Sequence, residues 1–120
     1  CYAKSHLLAA LLRSIGVPTG FCYQGLIFDD ISDRRIILHG LVGVYIKEID
    51  KWIRLDARGN KPRVNAQFSL TEERLAYPIR KELGEFDSNI IYSEPTKSVQ
   101  LCLLKSKNKS ELILNLPEKL

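Results

Sequence analysis

"IILHGLVGVYIKEIDKWIRLD", Ile36 to Asp56, holds two apolar runs separated by a polar break. From Ile36 to Lys47 the side chains alternate. His39, Leu41, Gly43 and Tyr45 face one way, and Leu38, Val42, Val44 and Ile46 face the other. "EID" at 48–50 is the expected hairpin turn, and Lys51 to Asp56 is a third strand with Trp52, Arg54 and Asp56 on one face. A connection this short joins strands only in antiparallel fashion. Such a hairpin sets residue 39 opposite about 59, and 43 opposite about 55. A shift or bulge of a residue or two then brings Asp56 beside His39.

Working outward, Thr19 to Phe28 is rich in aromatic and apolar residues and predicts a strand, and "DDISDRR" (29–35) a polar turn. Residues 3–15 predict a helix. Ala3, Leu7, Leu8, Leu11, Leu12 and Ile15 recur at helical spacing as its core stripe. Gly16 caps it and Pro18 stops it. Cys1 lies two turns before Leu8, at the helix start and turned toward the core. Downstream, "ARGNKPRVN" (57–65) is a loop and "SLTEERLAYP" holds one helical turn before Pro78. Residues 79–94 are irregular or short strand. Residues 95–105 predict a helix with Val99, Leu103 and Leu104 along one side. A short helix capped by Ser110 follows, with Glu111 in its first turn. Helix, antiparallel meander, then helices make the class α+β.

The 120 residues suffice for one domain and one core, spanning 1–120. No apolar run approaches the roughly 20 residues of a membrane helix, and no secretory leader is legible, so no membrane partner is expected. The net charge of +4 is scattered, without the basic stripe and interleaved aromatics of a nucleic-acid binder. Cys1, Cys22 and Cys102 are an odd, low count. That argues against a disulfide framework and for a reducing compartment, hence a cytoplasmic location. Cys22 and Cys102 fit small buried hydrophobes. No zinc spacing and no calcium loop occur, so neither metal nor cofactor is expected.

A thiolate is the nucleophilic form of cysteine, and a helix N-terminus favours it through the macrodipole and unpaired N–H groups. Cys1 has that setting. Its partners would be a base, usually histidine, and a group that orients the base. His6 lies on the helix flank away from the leucine stripe and is expected at the surface. His39 sits mid-strand, and Asp56 ends the next strand. Cys1, His39 and Asp56 together form a Cys–His–Asp constellation. Gln24 is either an oxyanion donor or an exposed strand residue. Trp52 is either a wall of the cleft or a buried sheet anchor.

"CYAKSHLLAALLRSIGVPTG" (1–20) resembles the nucleophile helix of the transglutaminase-like superfamily, through Cys1, Arg13, Gly16, Val17 and Pro18. "LHGLVGVYI" resembles that family's histidine strand, and "KWIRLDARGN" its aspartate strand, with Trp52 and Asp56 in place. The likeness covers residues 1–60; residues 61–120 carry no motif. It departs from the pattern at Leu41 and Gly20, and in the helix and Gly that usually precede the cysteine.

The resemblance implies a transglutaminase-like, cysteine-proteinase-like fold with a nucleophile helix packed on an antiparallel sheet, lacking its upstream segment. It implies a papain-like triad, with Cys1 as nucleophile, His39 as base and Asp56 as orienter. The activity implied is acyl transfer through a thioester on a peptide or protein substrate: peptide or amide hydrolysis, or transamidation. A catalytically inert interaction or structural module is the alternative. A third reading, with the Cys1 amine as its own base, leaves His39 and Asp56 without a role.

Overall fold

The computed structural model describes residues 1–120. The chain is α+β. Helix α1 (Tyr2–Ser14) precedes strands β1 (Thr19–Asp29), β2 (Asp33–Ile46) and β3 (Lys51–Leu55). A two-residue strand β4 (Phe86–Asp87) and helices α2 (Lys97–Lys105) and α3 (Lys109–Leu114) follow. The four strands form one antiparallel sheet in the order β3-β2-β1-β4.

The hairpin register differs from expectation by one residue. Gly43 pairs with Arg54 and Val42 with Leu55, where β3 ends. The turn absorbs the difference. Lys47–Ile49 form a 3-10 turn, and Asp50 closes it in the left-handed region with φ of 50°. One step past the last pair, Asp56 comes level with Leu41. That is two residues from His39 on the same face, a diagonal that side chains can span.

The early end of β3 leaves part of β2 without a strand partner, and unpaired backbone groups need partners. Helix α1 supplies them. The Tyr2 hydroxyl donates to the Leu38 carbonyl at 2.5 Å. Ser5 Oγ donates to the Gly40 carbonyl at 3.0 Å, and the Gly40 N–H donates to Cys1 Sγ at 3.4 Å. The Leu38 N–H reaches the Pro117 carbonyl at 2.8 Å. The helix start is therefore docked on the open edge beside His39.

This docking overturns the expected leucine stripe. The buried residues of α1 are Tyr2, Ser5 and Ala9, while Leu7 and Leu11 are 62% and 57% exposed, and Ala3 and Ile15 are exposed too. Leu8 and Leu12 are half-buried. The edge selects the face that carries two hydroxyls, and small Ala9 lets the helix approach. His6 is consequently not a surface residue. It is half-buried, with its ring edge-on to Phe21 at 5.3 Å.

The core joins Tyr2, Ala9, Phe21, Tyr23, Leu38 and Val99, with α2 closing over it through Val99. Cys22 and Cys102 are buried free thiols, as expected. Leu104, placed with Val99 in the sequence reading, is 82% exposed. Five residues turn a helix about 140° past its starting face. Helix α3 starts from Asn108 rather than Ser110. Asn108 Oδ1 accepts from the Glu111 N–H at 3.0 Å, and Glu111 reaches back to the Lys107 N–H at 2.7 Å. The helical turn expected before Pro78 does not form. Ser69 Oγ accepts from the Thr71 and Glu72 N–H groups, and Arg54 holds Glu73 by two bonds of 2.7 and 2.9 Å. Such local side-chain bonds compete with a helix for the same backbone groups. No helix is long and apolar enough to cross a membrane.

Candidate active site

Cys1 is the N-cap of α1 and makes no side-chain capping bond to its own helix. The first helical hydrogen bond is donated by the Ser5 N–H to the Cys1 carbonyl at 2.9 Å. The earlier N–H groups therefore remain open at the end that carries the positive pole. Contrary to expectation, Cys1 is exposed rather than turned into the core, because the helix start emerges at the free edge of β2. It stands at a cleft of about 1020 Å³ that it shares with His39, Arg58 and Tyr77.

His39 and Asp56 form a buried pair. His39 Nε2 and Asp56 Oδ2 lie 2.6 Å apart, and the Asp56 side chain is fully shielded from solvent. Burial pushes the Asp56 carboxyl up. His39, the Arg58 N–H at 2.9 Å and the Ala76 N–H outweigh it and hold the group below the ordinary aspartate range. With Nε2 committed to the carboxylate, Nδ1 is the ring nitrogen left for proton transfer. Tyr77 packs edge-on against the imidazole at 5.5 Å and fixes its plane.

The sulfur's hydrogen bond goes to the Gly40 N–H, one residue past His39, rather than to the imidazole.

Gln24 pairs across the strands with His39 but is 2% exposed, not an exposed strand residue. Its amide donates to Asp87 Oδ2 at 3.3 Å. It lines a second cleft of about 570 Å³ with Arg54, Glu73 and Asp87, away from Cys1. Trp52 is 48% exposed and leans on Tyr45 with ring centroids 5.6 Å apart. It is neither a buried anchor nor a lining residue of either cleft, because Lys51–Leu55 is the sheet's edge strand.

The sequence reading missed Tyr77 and Arg58. Arg58 lies two residues past Asp56, a spacing that lets its N–H meet that carboxylate. Tyr77 lies in an irregular segment with no periodic signal. Compared with known proteins, the chain matches no family model, no curated sequence and no solved structure.

Proposed function

We propose that this protein carries out thiol-dependent acyl transfer, with peptide or amide hydrolysis as the reaction. The observation that carries the reading is one cleft lined by a helix-capping cysteine and by a histidine whose far nitrogen is held by a buried aspartate. The order helix cysteine, strand histidine, next-strand aspartate also supports the transglutaminase-like resemblance.

The Cys1 thiol proton passes to His39 Nδ1, and the thiolate attacks the substrate carbonyl carbon. Open N–H groups of the first turn, where Ala3 and Lys4 line the cleft, receive the developing oxyanion. The imidazolium, stabilised by Asp56, returns the proton to the leaving amine as the C–N bond breaks. Water, deprotonated by His39, cleaves the thioester and restores the thiol. An incoming amine in place of water makes the same chemistry transamidation.

One observation favours the second reading, an inert binding module: the Cys1 sulfur is engaged by the Gly40 N–H and not by His39. Alkylation rates separate the two. Under the catalytic reading Cys1 reacts fastest of the three thiols, with an apparent pKa below the free value of about 8.5. The rate falls in His39→Ala. Asp56→Asn cuts amide turnover by about 10³–10⁴-fold while the fold persists. Equal rates at Cys1 in wild type and His39→Ala, together with no turnover of any peptide amide, would leave the binding-module reading standing.

A further inference from the structure

We infer that the cleft selects acyl substrates bearing a carboxylate beside the scissile bond, and that Arg58 is the residue that reads it. The inference rests on the catalytic reading above, since the cleft is the same. Four basic residues line it: Lys4, Arg58, Lys61 and Arg80. Arg80 is spent. It holds Glu85 at 2.5 Å and both Asp30 oxygens at 2.8 and 3.0 Å. Lys4, Arg58 and Lys61 take part in none of the chain's ion pairs. Three basic side chains outside any ion pair thus line a cleft that also holds the thiol, against one carboxylate outside any ion pair, Asp29, which accepts from the Ile31 and Ser32 N–H groups.

Arg58 is set apart from the two lysines by its order. Its Nε donates to the Tyr77 hydroxyl at 2.8 Å, and its guanidinium lies 5.3 Å from the centre of the Tyr77 ring. Its backbone N–H is fixed on Asp56. Tyr77 in turn packs on His39. The guanidinium is therefore anchored through the same residues that orient the base, and its partner is a neutral phenol that leaves the charge uncompensated. The two Nη groups make no hydrogen bond within the chain. A planar fork held by one corner with its other donors free suits a carboxylate, which it binds through two parallel bonds. Lys61 and Lys4 are exposed and mobile in type; they add field rather than geometry. The carboxylate has two sources: an acidic side chain beside the scissile bond, or the free C-terminus of a substrate cleaved at its last residues.

Two measurements on the full chain test this. The first needs no turnover. Cys1 is alkylated with iodoacetate and with iodoacetamide, and the ratio of the two rates is compared with the ratio in the urea-unfolded chain. The folded ratio is expected to exceed the unfolded one by about tenfold and to fall most of the way back in Arg58→Gln. Lys61→Gln, which leaves Tyr77 and Asp56 untouched, should lower it by a smaller factor. Iodoacetamide labelling of each variant reports whether the site remains folded. A folded ratio equal to the unfolded one overturns the inference, whatever the catalytic outcome.

The second measurement compares three peptide series: neutral with an amidated end, acidic beside the scissile bond with an amidated end, and neutral with a free C-terminus. The ratio of kcat/KM for one carboxylate series over the neutral series should drop about tenfold in Arg58→Gln, and the series that responds identifies the source. Equal losses on all three series would mean that Arg58 supports the thiolate rather than the substrate, and would overturn the assignment. Absence of turnover on every series, with the alkylation ratio intact, would refute the catalytic reading while leaving the carboxylate site standing.

Discussion

His6 shows how one side chain records the rotation of α1. Burial against Phe21 holds its pKa below the ordinary histidine value. The folded state therefore binds a proton less readily than the unfolded chain. Stability from this residue is present above the unfolded pKa of about 6.5 and is lost as pH falls through the lower folded value. Urea denaturation across pH 7.5 to 5 should give a falling midpoint in wild type and a flatter profile in His6→Gln. Equal slopes in the two proteins would place His6 back in solvent. Asp56 illustrates the opposite economy of burial: its charge survives away from water because an imidazole and two backbone N–H groups meet it.

At the scale of elements, the joint between α1 and β2 sets the site. Gly40 presents both its N–H and its carbonyl to the helix, to Cys1 Sγ and Ser5 Oγ. A Cβ at this position would lie 3.0 Å from the Tyr2 ring and 3.9 Å from Ser5 Oγ. Tyr2 is a buried core residue whose hydroxyl is tied to Leu38, so it has little room to yield. Gly40→Ala should destabilise the fold by about 1–3 kcal/mol, the usual range for overpacking. It should also lift the helix start and change the Cys1 alkylation rate. Gly59→Ala is the control: its φ of 74° makes it strained, yet a Cβ there meets no atom within 4 Å. A Gly40→Ala protein with wild-type stability and wild-type Cys1 reactivity would show that this joint does not position the thiol.

Across the whole molecule, three buried or half-buried carboxylates tie distant segments together. Asp56 joins β2 to the segment after β3. Glu85 receives Arg80 and the Ile27 N–H, and Asp87 joins Arg54 to β4. Burial pushes each pKa up; hydrogen bonds and cationic partners outweigh it and leave each depressed. Depressed carboxylates contribute stability that is complete above their unfolded pKa of about 4 and lost as pH falls through the folded values. Acid unfolding should therefore begin below about pH 4, distinct from the His6 window. Arg80→Gln should move the acid midpoint upward, because Glu85 then loses the partner that lowers it. An unchanged acid midpoint by circular dichroism would show that the Glu85 anchor is not part of the transition.

By itself the sequence determined the meander, because period-two alternation from Ile36 to Ile46 and the break at 48–50 admit few other foldings. It also determined that a cysteine starts the first helix and that a strand histidine and a next-strand aspartate follow it in order, but not that His39 and Asp56 share a face, which a one-residue slip of register reverses. Those are local properties: periodicity, turn chemistry and order along the chain. Only the tertiary structure decided the register, since the turn's length in residues does not fix how many of them the turn consumes. It decided which face of α1 is buried, because the unpaired edge of β2 called for hydroxyls rather than leucines. It decided that Gln24 and Trp52 stand outside the cleft of Cys1, and that Tyr77 and Arg58 stand within it. Tyr77 reaches the site only through side-chain contacts to Arg58, 19 residues back, and to His39, further still, and such contacts leave no period in a sequence to read.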